Sequence, residues 1–436
     1  MSGLAGATNF DKGGVTDRSV IIVNIAVHGG SYHKLIHLCK YLNANGISCL
    51  LILNSSPPLG LQVGLDIDDA QREKLRTDGV FVMEYDEIRK YLEDTPARLY
   101  VFDGLKTAKI KDLIDLVRAR HNAKTAQIGS LYHEFIYWGA DYVFLQHPLS
   151  LWFLNEVYHW KGHKDLYRAR SIIFAGNIFS EPVCNEWTSE IRSKSDLCDK
   201  YNLDVEKPIC LWLPDRHDGN RPVYRSVVDT VKAASYNLVV KPHPWEYKNL
   251  KHGFDPKYGE GVTSANKYEC EAIREQDSSW FFKYSDIVII GTSTVGMEMP
   301  YWRKPFIYIN DGSWRNRVVE SCSVWLTDPS KVGEALMEGS RLRFKEEDYQ
   351  KALAYLHPDA KRTSFELHLE GIRAALEDTG TSKRIGSNRK VARLYSGKAP
   401  NSWKIYEEHM LKRIIGQIKQ NSLVQKSYSK LKGMLR

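Results

Sequence analysis

The chain has 436 residues, 43% of them hydrophobic, which is enough for a globular core and, at this length, for two or three domains. No run of about 18 apolar residues occurs, which excludes an ordinary membrane-spanning helix, and the polar first 18 residues lack the apolar stretch of a secretory leader. The formal charge of +8 is uneven: residues 383–436 hold 14 Lys and Arg against 2 Asp and Glu, so the remaining residues carry a net −4.

Residues 1–18 are expected to be a disordered lead-in. SVIIVNIAV (19–27) is short, continuous, apolar and β-branched, the pattern of a buried strand. His28-Gly29-Gly30-Ser31 follows, then a helical pattern over 32–45 that Gly46 stops, and a second strand, ISCLLIL (47–53). The alternation continues through RLYVFDG (98–104), a helix near 108–120, ADYVFLQ (140–146) and RSIIFAGN (170–177). Residues 19–179 therefore read as one α/β domain on a mostly parallel sheet.

Residues 180–207 are mixed and polar, with helix-like stretches, and read as a linker between domains. A second series then starts with PICLWLP (208–214), a helix over 222–235 and NLVVKPHP (237–244). YSDIVIIGTSTVGMEMPYWRKPFIYIN (284–310) is a strand, a hydroxyl-rich turn, a helix and a strand, and SVWLT (323–327) is one more strand. Pro300 removes a backbone bond inside that helix, which predicts a short or kinked one. Helices from 345 to 378 close a second domain over 208–378. Residues 379–402 are a Gly-, Ser- and Lys-rich connector within a basic tail, 379–436, in which Trp403, Tyr406, Met410, Ile414 and Ile418 form a helical stripe. The seven cysteines are scattered without a CxxC pair, against a disulfide framework or a zinc knuckle and in favour of a reducing cytoplasm.

Ligands of open α/β sheets bind at the carboxyl ends of the strands, so the residues that follow strands are the candidates. After 287–290, the hydroxyls of Thr292, Ser293 and Thr294 and the first free helix N–H groups suit an anion, with the helix dipole adding to the attraction; they equally suit an ordinary N-cap. Lys241-Pro242-His243-Pro244 ends another strand, and its prolines stiffen a turn in which His243 either meets a phosphate or is satisfied by backbone. Arg216, in Pro214-Asp215-Arg216-His217-Asp218, suits a bidentate phosphate clamp or a solvated loop. Arg315 and Arg317 fit the same argument more weakly. Glu298, one turn beyond Thr294, suits ribose or sugar hydroxyls or a plain helix surface. In the first domain His28 stands beside two glycines that let a substrate approach closely, a place for a general base or simply a tight βα turn. His133 with Glu134, and His147-Pro148, are further acceptor-side candidates. No GxGxxG, P-loop, HExxH or GxSxG pattern occurs.

Four landmarks stand in a familiar order: Ala175-Gly176-Asn177 at a strand end, PICLWLPDRH, VVKPHP and SDIVIIGTSTVGMEMPYWRKPFIYI. Together they resemble the GT-B superfamily of nucleotide-sugar enzymes, within it the CDP-glycerol glycerophosphotransferases and the capsule-polysaccharide glycosyltransferases. The resemblance covers about residues 170–310 and the first domain only in layout. It implies two Rossmann-like domains facing across a cleft, with the nucleotide-activated donor (CMP-, CDP-, UDP- or GDP-linked) held mainly by the second. On that model His243, Ser293 and Thr294 contact the donor diphosphate, with Lys241 and Thr292 beside them, Glu298 holds hydroxyls, Arg216 neutralises the leaving phosphate, and His28 serves the acceptor as base. Polyol-phosphate transferases usually carry Asp-Tyr-Ser-Ser where this chain has Gly291-Thr292-Ser293-Thr294, and their acceptor-side Trp-His-Gly pattern does not align. The implied enzyme is thus a glycosyltransferase acting on a surface polysaccharide or lipid-linked acceptor; a CDP-glycerol-type polyol-phosphate transferase and, further off, a nucleotide-sugar epimerase are the alternatives.

No permanently bound cofactor and no metal is expected, because a helix N-terminus, His and Arg suffice to stabilise a departing phosphate. The basic tail fits either an anionic membrane surface, giving a cytoplasmic protein peripheral at the inner face, or a helix packed back on the body. Nucleic acid is a poorer partner, since the tail contains no recognisable binding module.

Overall fold

The computed structural model describes residues 19–25, 32–55, 69–103, 107–129, 137–147, 166, 169–184, 191–214, 223–241, 278–291, 294–310, 319–320, 322–337, 345–359 and 361–379. They build two parallel sheets. The first runs through β1 (Val20–Asn24), β2 (Cys49–Asn54), β3 (Val80–Met83), β4 (Leu99–Asp103), β5 (Lys124–Ile128), β6 (Tyr142–Leu145) and β7 (Ser171–Phe174), in the spatial order β3-β2-β1-β4-β5-β6-β7. The second holds β8 (Ile209–Leu213), β9 (Asn237–Val240), β10 (Ile287–Ile290), β11 (Phe306–Ile309) and β12 (Val324–Leu326), in the order β12-β11-β10-β8-β9. Every strand pairing described is parallel.

Parallel sheets are covered on both faces, which is why their strands read as unbroken apolar runs. In the first sheet Val20 and Ile22 face a core completed by α1 (Tyr32–Ala44), whereas Ile21 and Val23 face α3 (Tyr85–Asp94) and α4 (Ala108–His121); α2 (Asp69–Thr77) lies between β2 and β3 in the chain. Alpha-helix α1 ends as its Gly predicts. Gly46 takes φ +80°, its N–H bonds to Asn43 O and the Ile47 N–H to Leu42 O at 3.0 Å, the paired closure of a left-handed helix stop.

In the second sheet, α5 (Lys194–Lys200), α7 (Ser278–Tyr284) and α10 (Glu346–Leu356) cover one face, and α6 (Val223–Ala233) with α9 (Val332–Met337) the other. Residues 180–207, read as a linker with helix-like stretches, contain α5, whose N-cap Ser193 accepts the Asp196 N–H at 3.0 Å. Among the described residues no helix is long and apolar enough to cross a membrane.

The last described helix, α11 (Ser364–Glu377), follows the second sheet in the chain but packs on the first. Leu367, Leu369, Ile372 and Ala375 join the core of Val20, Ile22 and Val101. Its carboxyl end is held there too: Lys124 Nζ donates to Ala375 O at 2.7 Å and Leu376 O at 2.9 Å, and Arg170 pairs with Asp378 at 2.7 Å. A cation at exposed helix carbonyls complements the dipole. The chain therefore crosses between the sheets twice, and 364–378, grouped by sequence order with 208–378, belongs by packing to the first domain.

Candidate functional site

The order β10-β8-β9 makes three neighbouring strands of the second sheet end on one edge. The Gly291 N–H bonds to Leu213 O at 3.2 Å and the Lys241 N–H to Trp212 O at 2.9 Å, so the three strand ends are laced together where their loops begin. Between β8 and β10 the order of the strands reverses, which opens a crevice at their carboxyl ends. Arg216 follows β8 by three residues, His243 follows β9 by three, and Thr292 and Ser293 follow β10 by two and three. Those four residues, like His28, Arg315, Arg317 and His133, lie outside the described residues. Topology thus brings their attachment points, Pro214, Lys241 and Gly291, to one edge.

Lys241 is half-buried at this edge. Thr294 begins a single 3-10 turn, Thr294–Met297, and Glu298 is the N-cap of a four-residue helix, α8 (Met299–Trp302), with Pro300 in its first turn. The expected short or broken helix is what forms. Its consequence is that little macrodipole accumulates, so attraction of an anion here must come from individual N–H groups and side chains rather than from a long helix. Half-buried Glu298 is fixed through its backbone: its N–H bonds to Val295 O at 2.8 Å and its carbonyl accepts Tyr301 N and Trp302 N. Lys304 has a structural task, donating to Lys283 O at 2.9 Å and Ser285 O at 3.0 Å at the carboxyl end of α7.

At the carboxyl edge of the first sheet the reversal falls between β1 and β4. Here the Ile25 N–H donates to Asp103 Oδ2 at 2.7 Å and the Asn54 side-chain amide donates to Ile25 O at 3.1 Å. Asn24, Asn54 and Asp103 are all buried, and Asn24 Oδ1 has no hydrogen-bond partner among the described residues. None of the three had been singled out from sequence. The available signal was their position: each ends an apolar strand, where a polar residue is out of pattern.

A third polar group sits where the chain crosses between the sheets. Glu181 on the outward crossing accepts the Ser364 N–H on the return crossing; Ser364 Oγ meets His357 Nε2 at 3.2 Å, and His357 Nε2 lies 3.9 Å from Glu181 Oε1. The Asp359 N–H donates to His357 Nδ1 at 3.2 Å, which leaves the imidazole proton on Nε2. Burial pushes Glu181 up, opposed by its bonds to Ser364 and by the Lys34 charge. Burial pushes His357 down, and it pushes His368 and His147 down to about 4, with His357 adding to both. His147 was an acceptor-side candidate; it is a buried, neutral ring. Among the described residues, no group of three His, Cys, Asp or Glu is placed to hold a metal ion.

No protein-family model matches the sequence, and no curated protein does. Solved structures do. The UDP-GlcNAc 2-epimerase from Neisseria meningitidis, bound to UDP-GlcNAc, superposes with a TM-score of 0.51 at 12% identity, over 82% of this chain and 99% of that one. A variant of the wall teichoic acid polymerase TagF, soaked with CDPG, gives a TM-score of 0.51 at 12% identity over 84% and 91%. The fold is GT-B-type. In this chain that fold is two Rossmann-like parallel sheets, with α11 returned to the first.

Proposed function

We propose that this chain is a glycosyltransferase that moves a sugar from a nucleotide-activated donor to a surface polysaccharide or lipid-linked acceptor. The observation that carries the reading is the adjacency β10-β8-β9, which delivers the attachment points of the Thr-Ser-Thr turn, of Arg216 and of His243 to one edge at a strand-order reversal. In this reading Thr292, Ser293, Thr294, Lys241 and His243 hold the donor diphosphate, Glu298 takes sugar or ribose hydroxyls, and Arg216 offsets charge on the leaving phosphate. His28, three residues beyond Ile25, takes the acceptor proton. The similar structures carry UDP-GlcNAc in one case and were soaked with CDPG in the other, which supports a nucleotide-linked substrate and leaves the base to experiment.

An epimerase is the second reading, favoured by the equal TM-score of the Neisseria enzyme. The two part on a simple readout: an epimerase converts UDP-GlcNAc without an acceptor, whereas a transferase releases nucleotide in step with acceptor consumption. CDP-glycerol as donor tests the polyol-phosphate alternative. The basic segment 383–436 would hold the enzyme on an anionic membrane at its lipid-linked acceptor, and loss of liposome binding on deleting 403–436 checks this.

The deciding experiment is a thermal-shift screen against CMP, CDP, UDP, GDP and dTDP. A ligand at 100 times its Kd stabilises the folded state by about 2.7 kcal/mol, a shift of several degrees. One clear hit names the donor class; no shift with any of the five overturns the reading.

A further inference from the structure

Lys34 stands in the first turn of α1, four residues after Gly30, and is 3% exposed. A buried ammonium needs partners, because leaving water costs several kcal/mol. Among the described residues, partners come from the outward crossing and from the second domain. Nζ donates to Glu181 O and, at 3.2 Å, to Val183 O, both on the outward crossing. It also lies 5.5 Å from the centre of the Trp302 ring, within cation–π range, and its charge opposes the burial that pushes Glu181 up. Its neighbours on α1 reach the same way: His33 Nε2 meets Ser279 Oγ of α7 at 3.4 Å, and His37 Nε2 meets Cys184 O at 3.2 Å.

Trp302 is the last residue of α8, hydrogen-bonded through its N–H to Glu298 O. Tyr301 beside it donates to Leu356 O at 3.2 Å and sets its ring edge-on to His357 at 5.9 Å. The contacts close a circuit: Trp302 to Lys34, Lys34 to Glu181, Glu181 to Ser364, Ser364 to His357, and His357 back to Tyr301. Helix α1, which follows residues 28–30 in the chain, and α8, which follows residues 292–294, are thereby joined through the Lys34 side chain.

We propose that Lys34 is a positioning residue of the transfer reaction, setting the separation between α1 of the first domain, which follows His28 in the chain, and α8 of the second, which follows Thr292 and Ser293. The proposal rests on the glycosyltransferase reading for its chemistry and on the clamp geometry for its mechanics. In that reading Lys34 acts on the spacing of the two helices and not on a reactant. Misplacement of reacting groups by about 1 Å costs about 100-fold in rate without loss of binding, so the signature is a split between turnover and donor affinity.

The test uses Lys34→Met, which keeps the aliphatic stem and removes the charge, Lys34→Arg, whose guanidinium donates to both carbonyls and stacks on the indole, and Trp302→Leu should Lys34→Met fail to fold. The donor is UDP-GlcNAc or CDP-glycerol, chosen by the nucleotide screen. Lys34→Met is expected to slow nucleotide release about 100-fold with the donor Kd within about two-fold, and Lys34→Arg to recover most of the rate. Full turnover in Lys34→Met, or loss of donor affinity equal to the loss of rate, overturns the proposal. If the wild-type protein binds none of the five nucleotides and turns over neither donor, the functional reading fails on its own. The clamp is then read from energy transfer between dyes at the exposed positions Asp115 and Lys331: a longer distance in Lys34→Met than in wild type sustains it, and an equal distance refutes it.

Discussion

A β-carbon placed on Gly176 would lie 2.5 Å from His357 Nε2, so the two crossings between the sheets touch at the one residue without a side chain. Gly176 also takes φ +71°, a conformation that L-residues avoid. Its N–H is spent on Gln146 O at 3.0 Å, which holds it against the end of β6. Gly176→Ala is therefore expected to cost at least about 2 kcal/mol, overpacking and backbone strain acting together. Urea unfolding measures it; a cost below half that would mean the crossings separate easily.

The buried histidines set an acid limit. His147 and His368 have folded pKa values of about 4 against about 6.5 unfolded, so the folded state binds fewer protons below pH 6.5. Their contribution is fully present above pH 6.5 and is lost as pH falls toward 4, about 2 kcal/mol each by pH 4.5. His357, also lowered, acts in the same direction. Glu181, raised, acts oppositely: its burial weakens the fold as pH climbs above about 4.5. Unfolding free energy should drop between pH 6.5 and 4.5, and His368→Leu should flatten that slope by one histidine's share. An unchanged slope in the variant would remove His368 from the account.

At the crossing, the oxygen of Glu181 matters more than its charge. Glu181→Gln keeps an acceptor for the buried Ser364 N–H and should stay within about 1 kcal/mol of wild type at pH 7. Glu181→Ala orphans that N–H and should lose about 2 kcal/mol or more. Equal losses in the two variants would show that the carboxylate charge, through Lys34, dominates.

Thiol accessibility offers an independent check on the cores. Cys39, Cys49, Cys198, Cys210 and Cys322 are buried, Cys184 is partly exposed, and Cys270 lies outside the described residues. Burial pushes the Cys210 thiol far up and Cys322 to about 12, which suppresses the reactive thiolate. An aromatic disulfide reagent should modify at most Cys184 and Cys270 in the native protein and all seven cysteines in denaturant. Fast labelling of a third native thiol would contradict the packing described.

On the donor side, His243→Ala and Ser293→Ala should each abolish or strongly reduce the nucleotide-induced rise in melting temperature while leaving the ligand-free melting temperature within a few degrees. An undiminished rise in both variants would move the site elsewhere on the edge.

Much of the fold could be read from the chain because parallel strands are buried on both faces. VIIVN, CLLILN, ICLWL and IVII announce themselves by composition alone, and Gly46 and Pro300 punctuate as expected. Strand β5 did not, because Thr125 and Gln127 are polar yet fully buried. Asp141 Oδ2 accepts the Thr125 N–H at 2.9 Å and its hydroxyl at 2.8 Å, and Gln127 Oε1 accepts the Trp138 N–H at 2.8 Å. Satisfaction by partners more than ten residues away is invisible to a pattern read along the chain.

The sequence by itself determined the local elements, the two α/β series and the loops that follow β8, β9 and β10, since each depends on neighbours within a turn or a strand. Only the tertiary structure decided that those three strands lie side by side, that α11 returns to the first sheet, and that Lys34 is buried against Trp302 and the crossing. Those outcomes rest on contacts up to several hundred residues apart, whose energies come from burial and from polar groups satisfied across that distance, and no local periodicity encodes them.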